Sequence, residues 1–227
     1  MIGVFDSGAG GLSALAEIRR IAPLVDVCFF ADRKNAPYGT KTPRELLGLV
    51  KDDIIRLRNF GAKRILMACC TASTVHGSLP KEMREISVPI ILPTAKEAAR
   101  VTKNGSVGVI ATEATVASHS FLGALSHLST VKDVFELPLQ RLVAIVEGGA
   151  SDGNIAKNQK DELYRMLLPV RDSGVDTLIL GCTHFPHLEK EIGDCLPRVR
   201  LISSSREGAK EILKNTSPEE TGKTFYL

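Results

Sequence analysis

The sequence predicts an α/β protein in which parallel strands are flanked by helices. Eight short aliphatic or β-branched runs alternate with helical patterns along the 227 residues, an alternation typical of parallel sheets. Two of these runs end in a cysteine, at Cys69 and Cys182, which lie 113 positions apart. Residues 3–7 resemble residues 108–112 at a separation of 105 positions. We therefore also predict an internal duplication.

Each predicted strand is a short apolar run bounded by turn residues. In chain order these runs are residues 2–5, 27–30, 64–68, 88–92, 106–110, 131–135, 176–180 and 199–202. The clearest helix spans residues 42–59, with Thr42 as its cap, Pro43 in its first turn and Gly61 beyond its end. Another is predicted over residues 154–171, where apolar side chains share one face at Leu163, Met166, Leu167 and Val170.

The duplication predicts two domains. The first would comprise residues 1–95 together with residues 205–227, because we expect the end of the chain to return to the first half. The second would comprise residues 96–204, and a turn-like sequence at residues 103–105 lies near the division.

Charge and hydropathy disfavour several classes of protein, namely those that bind nucleic acid, are secreted or span a membrane. The net charge is +3 and no dense Lys/Arg cluster is interleaved with aromatic residues, so nucleic-acid binding is not expected. No apolar run approaches about 18 residues and no secretory leader pattern is present. The sequence therefore predicts a cytoplasmic protein without membrane contact, in which the five cysteines are thiols.

A glycine-rich turn follows the first strand at Gly8, Gly10 and Gly11. Such a turn exposes backbone amides at a helix start, which suits an anion. A dinucleotide site is disfavoured because Ser13 stands where the third glycine of the fingerprint would be. Asp6, at the strand end, either orients a ligand or proton partner or caps the following turn.

Residues 35–40 form a second turn by composition, with Pro37 and Gly39 as its turn-forming residues. The backbone amides of this turn could hold a carboxylate. It could equally be a plain connection between a strand and a helix.

The cysteines divide into two groups. Cys28 lies inside an apolar strand and Cys195 near a helix end, so both are interpreted as core residues. Cys69, Cys70 and Cys182 follow strands that lead into helices, where a positive local field is expected to lower the thiol pKa below about 8.5. A metal site built from these three thiols and His184 is disfavoured, because adjacent cysteines chelate poorly and no Cys-x-x-Cys pair is present.

Several stretches together resemble the glutamate racemases of the aspartate/glutamate racemase family. They occur in family order over nearly the whole chain, at residues 3–8 with 10–11, 37–41, 68–69 with 71–73, 108–110 with 114–116, and 178–184. The resemblance implies two flavodoxin-like parallel-sheet α/β domains related by pseudo-twofold symmetry, with the active site in the cleft between them. It implies an isomerase that needs no cofactor and no metal.

The resemblance also implies roles for individual residues. Cys69 and Cys182 would exchange the α-proton of glutamate on opposite faces, assisted by Asp6 and His184. The residues expected to hold the substrate are Asp6, Ser7, Tyr38, Gly39, Cys70, Thr71, Thr183 and His184. Glu147 matches an acidic residue near the cleft of relatives. The expected product, D-glutamate, serves peptidoglycan synthesis, and a homodimer is a candidate assembly.

One departure from the family concerns the first cysteine. The family usually has Asn after it, whereas this chain has Cys70, which loses an amide that both donates and accepts. Cys70-Thr71 also mirrors Cys182-Thr183, so Cys70 is an alternative to the preferred Cys69 as the first catalytic thiol. The alternative functions are a racemase for another acidic amino acid and a weakly active amino-acid-binding protein on the same fold.

Overall fold

The computed structural model describes residues 1–149, 155–214, 216 and 221–227. Its strands are β1 Ile2–Asp6, β2 Val27–Ala31, β3 Arg64–Met67, β4 Ser87–Pro89, β5 Ser106–Ala111, β6 Asp133–Pro138, β7 Thr177–Gly181, β8 Arg200–Ser203 and β9 Thr224–Tyr226. Its α-helices are α1 Leu12–Ile21, α2 Pro43–Phe60, α3 Cys70–Ser73, α4 Lys81–Ile86, α5 Ile91–Val101, α6 Glu113–Ala117, α7 Ser120–Ser126, α8 Gln140–Glu147, α9 Lys157–Asp172, α10 Glu189–Cys195 and α11 Ser204–Leu213.

The strands form two sheets in which every described pairing is parallel. One sheet has the order β4-β3-β1-β2-β9 and the other the order β6-β5-β7-β8. In each half the first strand lies between the second and the third, and the fourth lies beyond the third, as in flavodoxin-like folds. The predicted fold class is confirmed.

The strand register repeats the internal match. Gly3 of β1 pairs with Ile65 of β3, and Gly108 of β5 pairs with Leu178 of β7. A Cβ on Gly3 would lie 3.1 Å from Ile65, and a Cβ on Gly108 would lie 2.9 Å from Leu178. Equivalent glycines therefore allow the same close side-chain approach in both halves.

Helices α5 and α11 connect the two halves, because each of them contacts both β7 and β8 of the second sheet. Helix α11 packs against α1, α5 and β3, and it also contacts β7 and β8 of the second sheet. Buried side chains of both sheets, such as Val4 and Val109, belong to one apolar cluster. The predicted boundary between residues 95 and 96 lies within α5. The two halves thus share part of their core.

Most predicted elements are present, with shifted ends. Thr42 caps α2 through a capping box with Glu45, and Gly61 has φ 109° beyond the last turn. The run predicted as a strand over 88–92 is wrong at its end, because α5 begins at Ile91 and Pro89 has no N–H to continue a ladder. The strand predicted over 131–135 begins later, at Asp133, opposite Ser106.

Two predictions concern the later part of the chain. The helix predicted over residues 154–171 corresponds to α9, although residue 154 lies outside the described residues. Strand β9 was not predicted, but its parallel pairing with β2 brings the end of the chain back to the first sheet, as expected. In the described part of the chain no helix is both long and apolar enough to cross a membrane.

Candidate active site

A cleft between the two halves collects most of the predicted site residues at the carboxyl ends of the strands, where open α/β sheets bind ligands. Nine of these residues line it: Ser7, Tyr38, Gly39, Cys69, Cys70, Thr71, Cys182, Thr183 and His184. The second half adds Thr112, Gln140, Val143 and Glu147. Asp6 is not among the lining residues and lies fully buried.

The sheet register makes Cys69 the equivalent of Cys182. Ile65 and Leu178 occupy matching positions beside β1 and β5, and each is followed four residues later by one of these cysteines. Cys70 lies one position further along the chain, where it is the first residue of α3. The pairing of the strands therefore distinguishes two adjacent cysteines that the local sequence left open.

Cys69 caps the short helix α3. Its Sγ accepts a hydrogen bond from Ala72 N at 3.5 Å and lies 3.6 Å from Ser7 Oγ. Burial raises the pKa of the Cys69 thiol to about 12, and the negative charge of Asp6 acts in the same direction. The two donors oppose this rise without overcoming it.

Cys182 lies beside an imidazole. Its Sγ is 3.5 Å from His184 Nδ1, and His184 Nε2 is 3.4 Å from Glu147 Oε1. Burial raises the pKa of the Cys182 thiol well above its ordinary value. The prediction that strand-end thiols have lowered pKa values is therefore wrong for this structure, because desolvation of the thiolate outweighs the nearby donors.

Asp6 lies behind the glycine-rich turn. Its Oδ2 accepts from Gly8 N at 3.0 Å, and its Oδ1 accepts from Thr183 Oγ1 at 3.1 Å. Burial raises the pKa of Asp6, and the charge of His184 opposes that shift. Asp6 thus stabilises the glycine-rich turn that follows it and also connects the first half to the second.

The glycine-rich turn lies directly against the second half. A Cβ on Gly10 would be 2.5 Å from Thr183 Oγ1 and 2.8 Å from His184 Nδ1. Any side chain at this position would displace both groups. Gly10 is thus required here by the close approach of the two halves rather than by a phosphate.

Three threonine hydroxyls meet across the cleft. Thr71 Oγ1 is 2.9 Å from Thr112 Oγ1 and 3.0 Å from Thr115 Oγ1. Sequence reasoning missed Thr112 and Thr115 as site residues. A signal was present, because the internal match aligns Thr112 with Ser7.

The phenol of Tyr38 points away from the cleft into a buried acidic pair. Tyr38 Oη lies 2.7 Å from Asp32 Oδ2 and 2.8 Å from Asp53 Oδ2. A phenol has one proton to donate, so one of the two carboxyls must be protonated for both contacts to be hydrogen bonds. Burial raises the pKa of Asp53 to about 7, so at or below neutral pH Asp53 can supply the second proton. The pair anchors the turn that presents Gly39.

Cys70 combines a structural and a cleft position. It is 2% exposed, belongs to the shared apolar cluster and also reaches the cleft wall. Burial raises its pKa, while the Ser204 hydroxyl acts in the opposite direction. Within the described residues, no group of three or more His, Cys, Asp or Glu side chains is arranged to hold a metal ion.

Comparison with known proteins agrees with this architecture. The family described as Asp/Glu/Hydantoin racemase matches residues 21–212. A glutamate racemase of Gloeobacter violaceus is 37% identical over 96% of this chain and 81% of its own length. A crystal structure of a glutamate racemase isoform of Bacillus anthracis superposes with a TM-score of 0.88 and 33% identity, covering 100% of this chain and 86% of that one.

A second solved structure contains a bound amino acid. The glutamate racemase of Francisella tularensis, solved in complex with D-glutamate, has a TM-score of 0.82 and 28% identity, and the match covers 99% of this chain and 85% of that one. The sequence match and the shared fold both extend over the two halves and the cleft between them. The chain therefore belongs to the Asp/Glu/Hydantoin racemase family of isomerases.

Proposed function

We propose that the protein is a glutamate racemase that interconverts L- and D-glutamate by proton transfer between two cysteines, without a cofactor. The observation that carries this proposal is the equivalence of Cys69 and Cys182, which follow matching strands of the two halves and line one cleft. The relatives named glutamate racemase, one of them solved with D-glutamate, support the choice of substrate.

Racemisation requires one base on each face of the α-carbon. A thiolate of Cys69 would take the α-proton of one enantiomer, and the Cys182 thiol would return a proton from the opposite side. The reverse reaction would exchange these roles, since each base becomes the acid in the other direction. The two thiols leave the cycle with their protonation states interchanged and must be reset before the next turnover.

Neighbouring groups would assist the proton transfers. His184 lies beside Cys182 at 3.5 Å, so a protonated imidazole would favour the thiolate. Ala72 N and the Ser7 hydroxyl would do so for Cys69. Asp6 directly precedes Ser7, whose hydroxyl contacts Cys69 Sγ, and burial raises the pKa of Asp6, so we assign it a role in proton exchange with Cys69.

The substrate would be held mainly by neutral donors. We assign this role to the hydroxyls of Ser7 and Thr71 and to the backbone of Tyr38, Gly39 and Thr183, which line the cleft. The Thr183 hydroxyl donates to Asp6 instead. Hydrogen bonds to the carboxylate in a closed site would stabilise the carbanion. The thiol of Cys70 would replace a stronger donor and acceptor at the cleft wall.

Proton exchange in deuterium oxide tests the mechanism. The purified protein is incubated with L- or D-glutamate, the enantiomers are separated by chiral chromatography, and α-deuterium is followed by NMR. We expect wild type to equilibrate the enantiomers with deuterium incorporation, Cys69→Ala and Cys182→Ala to lose turnover, and Cys70→Ala to retain part of it. Turnover by Cys69→Ala together with an inactive Cys70→Ala would move the first base to Cys70.

Cys70 supports a second candidate function. Its thiol is a weaker hydrogen-bonding group beside the substrate than an amide. This favours a racemase for another acidic amino acid or a weakly active amino-acid-binding protein. Absence of exchange from both glutamate enantiomers, with binding of either one retained, would favour that alternative.

We propose that the D-glutamate supplies peptidoglycan synthesis in the cytoplasm, and that the chain divides into residues 1–95 with 205–227 and residues 96–204. A homodimer is also proposed, and sedimentation equilibrium tests it.

A further inference from the structure

Helix α8 presents one of its faces to the cleft. Gln140, Val143 and Glu147 all line the cleft, and their spacing places them on the same side of a helix. Arg141, the next residue along, instead makes an exposed ion pair with Glu162 at 2.8 Å. The cleft face of α8 is therefore polar at its two ends and apolar in the middle.

Gln140 carries a buried polar atom without a partner. Its Oε1 makes no hydrogen bond to any residue in the described ranges. This atom would lie 2.8 Å from a Cβ on Gly39, so the amide of the second half faces the Tyr38-Gly39 turn of the first half directly. Buried amide groups are normally paired. Oε1 as placed is an acceptor, but the oxygen and nitrogen of an amide exchange positions by rotation about the last torsion. The unpaired position therefore indicates a polar ligand atom, and the groups around it decide whether that atom donates or accepts.

The surroundings of Gln140 favour a carboxylate as that ligand group. Thr112 lies beside the same glycine, 3.3 Å from its Cβ position, and its hydroxyl contacts that of Thr71. The carboxyl groups near the cleft lie elsewhere, since Glu147 contacts His184 and Asp6 accepts from Thr183. Neutral donors suit an anion, whereas the acidic groups suit the substrate ammonium.

We infer that Gln140 is a specificity-determining residue whose amide donates a hydrogen bond to the side-chain carboxylate of the substrate. The inference rests on the proposed racemase function and names the substrate group that this end of the cleft recognises. Rotation about the last side-chain torsion, which is broad for an amide, brings Nε2 to the position of Oε1. Val143, between Gln140 and Glu147, packs against the methylenes that separate the carboxylate from the α-carbon.

Steady-state racemisation of both glutamate enantiomers by the full-length protein tests the inference. The variants are Gln140→Met, which keeps the side-chain length without its polar atoms, and Gln140→Glu, which places an anion at the same site. Arg141→Ala is the matched control on the exposed side of α8. Thermal unfolding is measured for every variant.

The expected results separate binding from catalysis. Gln140→Met raises KM by about tenfold or more in both directions, because a hydrogen bond to a charged group is lost, while kcat stays within about twofold. Gln140→Glu raises KM further, because two carboxylates repel each other. Arg141→Ala changes neither constant.

Each contrary result overturns a defined part of the scheme. An unchanged KM in Gln140→Met removes Gln140 from substrate recognition. A normal KM in Gln140→Glu assigns the amide to the substrate ammonium instead, which overturns the inference. A fall in kcat and melting temperature with an unchanged KM assigns Gln140 a structural role only. A wild-type protein that does not racemise glutamate overturns the proposed function as well as this inference.

Discussion

Thr183 Oγ1 donates a hydrogen bond to Asp6 Oδ1 at 3.1 Å, and this contact joins the second half of the molecule to the first. Both residues are buried, at 2% and 0% exposure. Thr183 follows Cys182 directly, whereas Asp6 is the last residue of β1. The bond therefore couples the loop that contains one proposed base to the strand that leads to Ser7 beside the other.

Thr183→Val tests this contact, because valine keeps the shape of threonine without the hydroxyl. We expect kcat to fall by about tenfold, since Asp6 loses a donor to a charged group. The pH dependence of kcat should shift to higher pH, because loss of that donor raises the pKa of Asp6 further. Thr130→Val is the control, since it removes a side-chain bond to Ala99 O away from the cleft. Equal losses of activity in both variants would contradict the prediction.

Gly10→Ala tests the close approach of the two halves. The added Cβ would lie within 2.8 Å of both Thr183 Oγ1 and His184 Nδ1, so we expect at least a tenfold loss of kcat/KM together with a lower melting temperature. Gly48→Ala is the comparison, since nothing lies within 4 Å of its Cβ position in the exposed middle of α2. That substitution should stabilise the protein by about 0.5–1 kcal/mol. A fully active Gly10→Ala would show that the halves can separate there at no cost.

Alkylation of the free protein tests the state of the proposed bases. Because burial raises the pKa of Cys69 to about 12, its thiolate fraction at pH 7 should be on the order of a thousandfold below that of an ordinary thiol. The iodoacetamide rate at Cys69, followed by mass spectrometry in a Cys195→Ser background, should rise about tenfold per pH unit between pH 7 and 10. A fast rate that is independent of pH would mean that the thiolate already exists at neutral pH.

Asp53 predicts a pH dependence of folding stability. Its pKa rises from 3.8 to about 7 through burial, against the opposing effect of the Tyr38 hydrogen bond. Its neutral form is favoured in the folded state, so the stability it contributes is present below about pH 4 and is lost as the pH rises to about 7. Asp53→Asn retains a neutral donor to Tyr38.

Thermal unfolding of Asp53→Asn and wild type from pH 4 to pH 9 measures this effect. The two should unfold alike near pH 4, and the variant should be the more stable above pH 7. Tyr38→Phe should be less stable than wild type throughout, because it removes the phenol between the carboxyls of Asp32 and Asp53. Parallel curves for wild type and Asp53→Asn would contradict a neutral Asp53.

Some features of the site were accessible to sequence reasoning, because they depend on the ends of regular strands. Cys69, Cys182 and Ser7 follow buried strands, and in a parallel sheet such positions meet at one edge. Gln140 was not accessible, since it lies on one face of a helix whose orientation depends on packing. The role we infer for it depends on its approach to Gly39, a residue of the opposite half.

The thiol pKa values show a second limit of prediction from local sequence. A strand end followed by a helix predicts a lowered pKa from local field alone, but Cys69 and Cys182 lie in a buried cleft where desolvation dominates. The contact of the Tyr38 phenol with two carboxyls was not predicted, for a similar reason. Its two carboxyl partners are Asp32, before its turn, and Asp53, on the following helix, and nothing in the local pattern brings their side chains together.

The sequence by itself determined the alternation of strands and helices, the duplicated strand motif and the cysteine at the end of each third strand. These features follow from hydrophobic period and from turn chemistry, both of which are local. The tertiary structure decided which of two adjacent cysteines matches Cys182, because that choice depends on the register of β3 against β1. It also decided the direction in which the pKa values of the buried groups shift, since the cost of desolvation depends on what the rest of the chain packs around them.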